Sequence, residues 1–223
     1  MKTVLSSILC WFVLLLAAPM LQAQDLSKYR SFSLGSSLTS VLKHTDQKLA
    51  DVRTIHGRPA LFQELTWWPS PLGISFRSDP IEQILFSFYN GELYKISVTY
   101  DRTSTEGLTA SDMMRALTAK YGPATNVALQ IDVTPNDRYD SNEKGIASWE
   151  DSQYSVNLVR SSFTDVFGLV IYSKRVNAEA DLAAAAAVKL ELQEGPQREA
   201  DRLQKENADL EVVRQKNKKV FQP

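Results

Sequence analysis

Ile84-Leu85-Phe86-Ser87-Phe88-Tyr89-Asn90-Gly91-Glu92-Leu93-Tyr94-Lys95-Ile96-Ser97-Val98-Thr99-Tyr100 is the stretch on which the fold turns. Ile84, Phe86 and Phe88 alternate on one side of Asn90-Gly91, and Tyr94, Ile96, Val98 and Tyr100 alternate on the other. A period of two on both sides of an Asn-Gly pair is the pattern of an antiparallel hairpin. Parity then bears on the loop. A two-residue turn sets Phe88 opposite Leu93 and Phe86 opposite Lys95, which divides the apolar set between two faces. A three-residue loop, Tyr89-Asn90-Gly91, sets Phe86 opposite Tyr94 and Ile84 opposite Ile96, and it puts Gly91 where a left-handed residue is needed. The expectation is the three-residue loop.

Helical patterns flank this hairpin. Leu38, Val41, Leu42, Thr45 and Leu49 follow helical spacing, with Ser36 or Ser37 available as the cap. Thr109-Ala110-Ser111-Asp112 is a capping box, because the Thr hydroxyl and the Asp carboxylate satisfy each other's orphan amides. Met113, Leu117 and Tyr121 then share a face, and Gly122-Pro123 ends the element.

The chain behaves similarly after each helix. His56-Gly57-Arg58-Pro59-Ala60 follows the first and Tyr121-Gly122-Pro123-Ala124 closes the second. Strand-like segments come next, Leu61 to Trp67 and the alternating Val127, Leu129, Ile131 and Val133. Loops with Pro69 and Pro71, or with Pro135, lead to Gly73-Ile74-Ser75-Phe76 and to Gly145-Ile146-Ala147-Ser148-Trp149. Two further strands close each unit, 84–88 with 93–100 and 154–160 with 167–173. The offset stays at about 65 to 74 residues, the mark of an internal repeat. The expected fold is α+β over 24–175. It holds two tandem helix-plus-antiparallel-meander repeats (about 31–101 and about 107–175), followed by a helical tail over 176–223.

Several of these residues carry a resemblance. Leu34-Gly35-Ser36-Ser37, Val41, Gly57-Arg58-Pro59, Trp67 and Phe88-Tyr89-Asn90-Gly91-Glu92-Leu93 place a Gly before a Ser-rich helix start, a Gly-x-Pro after it, a Trp and a closing hairpin. That order resembles the SmpA/OmlA (BamE-like) envelope-assembly lipoproteins and the β-lactamase-inhibitor-protein fold, over about residues 31 to 175. The resemblance implies a non-enzymatic protein-binding module and assigns no particular binding residue. The chain departs from the lipoprotein pattern in having no cysteine placed for lipidation.

Both ends differ in composition from the middle. Met1 to Ala23 combines Lys2, an apolar run from Val4 through Ala18, and Pro19 before a small residue at Ala23. That is the layout of a secretory signal peptide, so export to the periplasm or beyond is expected. The alternative is a retained anchor, since the run reaches about 20 residues if its polar members are tolerated. Cleavage discards Lys2 and the sole cysteine, Cys10, leaving 24 basic and 26 acidic residues and no disulfide. At the other end, Val176 to Glu194 is Ala-rich, with high helix propensity. Gly195-Pro196 is expected to interrupt it. Gln197 to Lys219 is charged, and Ala200, Leu203, Asn207, Leu210 and Arg214 follow heptad-like spacing too briefly for a coiled coil. A solvated helix fraying at Lys216, Lys218 and Lys219 is the expectation.

No residue set announces chemistry. Near-neutral charge argues against nucleic acid as the partner, and no cofactor, nucleophile-elbow or zinc motif is present. Asp140 to Gly145 with Asp151 mimics a calcium loop, but Lys144 at the fifth ligand position opposes a cation, so a polar turn is expected. His44 and His56 are the two histidines, the residue type suited to acid–base work near neutral pH. His44 falls on the polar side of the first helix. Trp67-Trp68 is the aromatic pair most open to a binding role: adjacent strand residues point to opposite faces, so one packs in the core while the other is exposed or covered by a loop, the alternative being that both are buried, one in each layer. The polar loops Asp101 to Glu106 and Thr134 to Lys144 are candidate rims.

The expected function is an exported, non-catalytic binding or assembly module acting on another envelope protein, with Trp67, Trp68 and His56 as candidate binding residues. Membrane contact follows only if the N-terminal segment is kept. A small hydrolase or ligand-binding protein using His56 near Trp67 and Trp68 is the alternative, and a deep polar pocket holding His56 with a carboxylate within hydrogen-bond reach overturns the binding-module reading. A structural protein that self-associates through residues 197–219 is a further alternative, removed if deleting them leaves the oligomeric state unchanged.

Overall fold

In the computed structural model, residues 25–69, 80–127, 143–161 and 164–221 are described. The expected signal peptide, Gly73 to Phe76, and Leu129, Ile131 and Val133 lie outside them.

The described residues open with a short hairpin, β1 (Lys28–Tyr29) and β2 (Phe32–Ser33), and enter helix α1 (Leu38–Thr45). The Ser37 hydroxyl accepts from the Ser40 amide at 3.3 Å, so Ser37 is the cap. Val41 and Thr45 are buried on this helix, but Leu49 lies beyond it in a 3₁₀ turn, Leu49–Asp51, and is exposed. The first helix is therefore shorter than its apolar spacing predicts, because the chain turns left-handed at Asp46 (φ 53°).

Four strands follow: β3 (Arg53–His56), β4 (Phe62–Trp67), β5 (Ile81–Tyr89) and β6 (Glu92–Tyr100). Then come α2 (Ala110–Tyr121), β7 (Asn126–Val127), β8 (Glu143–Glu150), β9 (Tyr154–Ser161), β10 (Phe167–Ser173) and the 47-residue α3 (Lys174–Val220). The capping box of α2 is present in both directions: Asp112 N–H donates to the Thr109 hydroxyl at 3.2 Å, and Thr109 N–H to the Asp112 carboxylate at 3.0 Å. Met113, Leu117 and Tyr121 are its buried face.

The eight strands β3 to β10 form one antiparallel sheet in the order β3-β4-β5-β6-β10-β9-β8-β7. Each set of four follows a helix in the chain, and the two sets meet where β6 pairs with β10. Ile171 lies opposite Ile96 there, and Leu169 opposite Val98.

The hairpin differs from expectation at its loop. Tyr89 pairs with Glu92 and Phe88 with Leu93, so the turn is the two residues Asn90-Gly91, both left-handed (φ 51° and 82°). That is the primed-turn geometry Asn-Gly favours. Parity is restored further along the strands. A bulge between Ser87 and Phe88 in the register gives Ser87 opposite Lys95, Phe86 opposite Ile96 and Ile84 opposite Val98. Tyr94 is the extra residue, and it points away from the main core with Phe62.

The sheet has two unlike faces. On one, Leu65, Ile84, Phe86, Phe88, Leu93, Ile96, Trp149, Leu158, Leu169 and Ile171 pack under α1, α2 and the β1-β2 hairpin. Phe86 and Phe88 are fully buried, and losing either ring would cost about 3–5 kcal/mol. On the other, Ala60, Phe62 and Tyr94 pack against Val176 and Ala180 of α3. The tail is thus no appendage in its first half. Val176, Ala180 and Ala187 are buried, and the small alanines let the helix lie close to the sheet. Gly195-Pro196 does not interrupt α3. Gly195, the residue before the proline, has no Cβ to crowd the ring, which eases the helical conformation there.

Candidate functional site

The sheet face that carries α3 is only partly covered, and the alternation that builds the core also lays out this face. In β5 the residues out of phase with Ile84 and Phe86 are Gln83, Leu85 and Ser87; in β6, past the bulge, they are Lys95, Ser97 and Thr99. Thr66 and Glu64 extend the row into β4, and Val170 and Gly168 extend it into β10. Ala184, Val188, Glu191 and Leu192 of α3 form a wall above this floor. Together they bound a groove of about 670 Å³, within the usual size of a small-ligand site. Gly168 keeps the floor low: a Cβ there would come within 3.1 Å of the Val98 carbonyl oxygen and of a Val159 methyl.

Charge collects at the β3 end. The Arg53 guanidinium meets Glu64 at 2.7 Å. His56 Nδ1 lies 2.9 Å from Glu191 Oε1 on α3, with the imidazole side chain 12 % exposed. Arg58 reaches Glu194 at 2.6 Å. These two contacts tie the end of β3 and the loop after it to α3 across more than 130 residues of chain. With Nδ1 donating to the carboxylate, a neutral ring keeps its lone pair on Nε2, an acid–base arrangement in principle. Among the described residues, however, the ring makes no second hydrogen bond, so no hydroxyl is held against it. Its other neighbour is the edge of Phe62, 5.6 Å away between ring centres. Lys95 sits buried in the floor, its ammonium 5.9 Å from the Tyr94 ring centre.

The structure separates the sequence-derived candidates. His56 lines the groove, but neither tryptophan does. Trp67 belongs to the core face of β4, edge-on to Phe32 at 5.6 Å, while Trp68 lies just past the strand and is 52 % exposed. His44 is exposed on α1, its Nδ1 2.7 Å from the Ser40 carbonyl. Asp151 accepts from the amides of Gln153 and Tyr154, so it closes a turn between β8 and β9. The loop after β6 is likewise a local turn, with Asp101 accepting from Ser104. Among the described residues, no group of three or more His, Cys, Asp or Glu is placed to hold a metal ion.

The groove-lining residues Ser87, Lys95, Ser97 and Thr99 went unmarked in the sequence reading, although the period-two pattern that picks out Phe86 and Ile96 also picks out them. Glu191 carried no such signal.

A second titratable cluster lies at the opposite face. The Lys120 ammonium sits 5.1 Å and 4.9 Å from the ring centres of Tyr29 and Tyr121. Burial pushes the Tyr29 and Tyr121 hydroxyls well above the usual tyrosine range, with Tyr100 adding to both. Burial, and then Arg30, lowers Lys120. The Lys120–Tyr29 contact joins the β1-β2 hairpin to α2.

The family model described as the TP0088 domain matches residues 27–175. No curated protein and no solved structure matches the chain.

Proposed function

The chain belongs to the TP0088 domain family, and we propose that this member is an exported, non-catalytic binding module whose site is the groove between α3 and the sheet. The observation that carries this reading is the groove itself, about 670 Å³ with a floor of Gln83, Ser87, Lys95, Ser97 and Thr99 and an aliphatic wall from α3. A mixed lining with a few convergent polar groups is the composition of ligand sites in general. The resemblance to envelope-assembly lipoproteins and to the β-lactamase-inhibitor fold supports a protein partner in the cell envelope, contacted through an inserted loop or side-chain cluster. The Met1 to Ala23 pattern supports export. We also read the two helix-plus-four-strand sets as tandem copies, on the order of their elements.

The His56–Glu191 pair is the observation that favours a hydrolase or small-ligand protein instead, since a polar groove holding His56 beside a carboxylate is the arrangement such an enzyme needs. A base and its orienting acid still require a nucleophile on the second ring nitrogen. The groove is a partly covered sheet face walled by Ala184, Val188 and Leu192, not a deep polar pocket, and His56 Nε2 meets no nucleophile among the described residues, so the binding reading is preferred.

One experiment separates the two. Immobilised mature protein is used to capture a partner from envelope extract, and the partner is then purified and titrated against wild type, Ser97→Trp and His56→Ala. Loss of affinity with Ser97→Trp, which fills the groove, together with retention in His56→Ala supports binding. Turnover of an ester or peptide panel that vanishes in His56→Ala overturns it.

A further inference from the structure

The second half of α3 has no part in the groove. From Pro196 to Val220 every side chain is exposed, and at 1.5 Å per residue this arm reaches roughly 37 Å beyond the last contact with the body. Its charge is divided. Residues 197–211 carry Glu199, Asp201, Glu206, Asp209 and Glu211 against Arg198, Arg202 and Lys205, whereas 212–221 carry Arg214, Lys216, Lys218 and Lys219 and no acid.

The same tip holds the arm's densest apolar surface. Val213, Val220 and Phe221 are 52 %, 76 % and 77 % exposed, and with Leu210 and Asn217 they fall on one side of the helix at 100° per residue. Leu210, Val213, Arg214, Asn217, Lys218 and Phe221 line one continuous shallow depression. Arg214 and Lys216 flank that stripe on its two sides, their methylenes able to lie along it; Arg214 is ion-paired to Glu211 at 3.0 Å, so Lys216, Lys218 and Lys219 carry the tip's net positive charge.

We propose that residues 212–221 form a surface-docking tip for an anionic lipid bilayer, lying in the headgroup layer with Val213, Val220 and Phe221 inserted. Cations beside a compact apolar stripe are what anionic headgroups over acyl chains complement. A second copy of the chain is a poorer occupant. A parallel pair would bring two tips of net positive charge together, Lys216, Lys218 and Lys219 on each. An antiparallel pair would set Val213 and Val220 against the upstream part of the same stripe, where Glu199, Arg202 and Glu206 bond one another. A soluble polyanion would use the cations and leave Phe221 in water.

The test is sedimentation of the full mature chain with vesicles of phosphatidylcholine alone or with phosphatidylglycerol, at low and high salt, beside heparin binding and the sedimentation coefficient of the free protein. Binding to the anionic vesicles, reversed by salt, is expected. Each of Lys216→Gln, Lys218→Gln and Lys219→Gln should lower that affinity about fivefold. Phe221→Ser should weaken vesicle binding while leaving heparin binding unchanged. These variants lie on a fully exposed arm, and an unchanged melting temperature shows that the body is intact. Equal binding to neutral vesicles, indifference to Phe221→Ser, or concentration-dependent self-association without vesicle binding would each overturn the proposal.

Discussion

Trp149 shows how a single side chain ties two distant parts of the chain. Its ring is buried against Tyr121, and its indole N–H donates to the Gly122 carbonyl at 2.8 Å, which fastens the end of α2 to the sheet. Trp149→Phe keeps most of the ring and leaves that carbonyl unpaired, so a loss of about 1–3 kcal/mol is expected. Chemical denaturation should show it as a lower midpoint with an unchanged slope. Glu150 next to it gives a pH-dependent counterpart. The hydrogen bond from Lys174 at 2.6 Å, more than any other cause, holds this carboxyl below its ordinary value of 4.5. A depressed folded-state pKa stabilises fully above the unfolded value and loses that contribution as pH falls through the folded one. The melting temperature of wild type should therefore exceed that of Glu150→Gln at pH 7, with the gap closing below about pH 4.5. Being part-exposed, the pair is worth no more than about 1 kcal/mol.

At the scale of elements, what the sequence revealed was local. Thr109 and Asp112 sit three residues apart, and such a cap needs nothing beyond its own turn, so α2 could be read directly. The hairpin was legible as a hairpin but not in its loop. Parity counting assumes regular strands, and the bulge at Tyr94 reconciles a two-residue turn with a one-sided core. β3 was missed because Arg53-Thr54-Ile55-His56 carries one apolar residue and lies at the sheet edge. The continuity of α3 through Pro196 was missed for another reason: the proline costs one backbone hydrogen bond on a solvated helix, where water can take the freed carbonyl. Two expectations follow for α3. Ala180 is 1 % exposed against the sheet, so Ala180→Leu should lower stability by about 1–3 kcal/mol through overpacking. Truncation after Gly195 should leave the melting temperature of the body unchanged, since the residues removed touch nothing else in it.

The whole molecule adds what no local pattern contains. The groove needs a sheet whose off-phase residues are polar, which the alternation shows. It also needs α3 folded back so that Glu191 meets His56 and Glu194 meets Arg58, and pairings at such separation leave no periodic trace. That is why His56 was singled out for its chemistry but assigned the wrong neighbours, Trp67 and Trp68. The pleat of β4 turns Trp67 into the core while Glu64 and Thr66 face the groove. The account's central claim is that the groove receives the protein partner. Site-specific photo-crosslinking in cells tests it most directly, with a photoreactive residue at Ser97 on the floor and at Ala178 on the exposed back of α3. A discrete envelope adduct from position 97 with none from 178 is predicted. Adducts from 178 alone would contradict it.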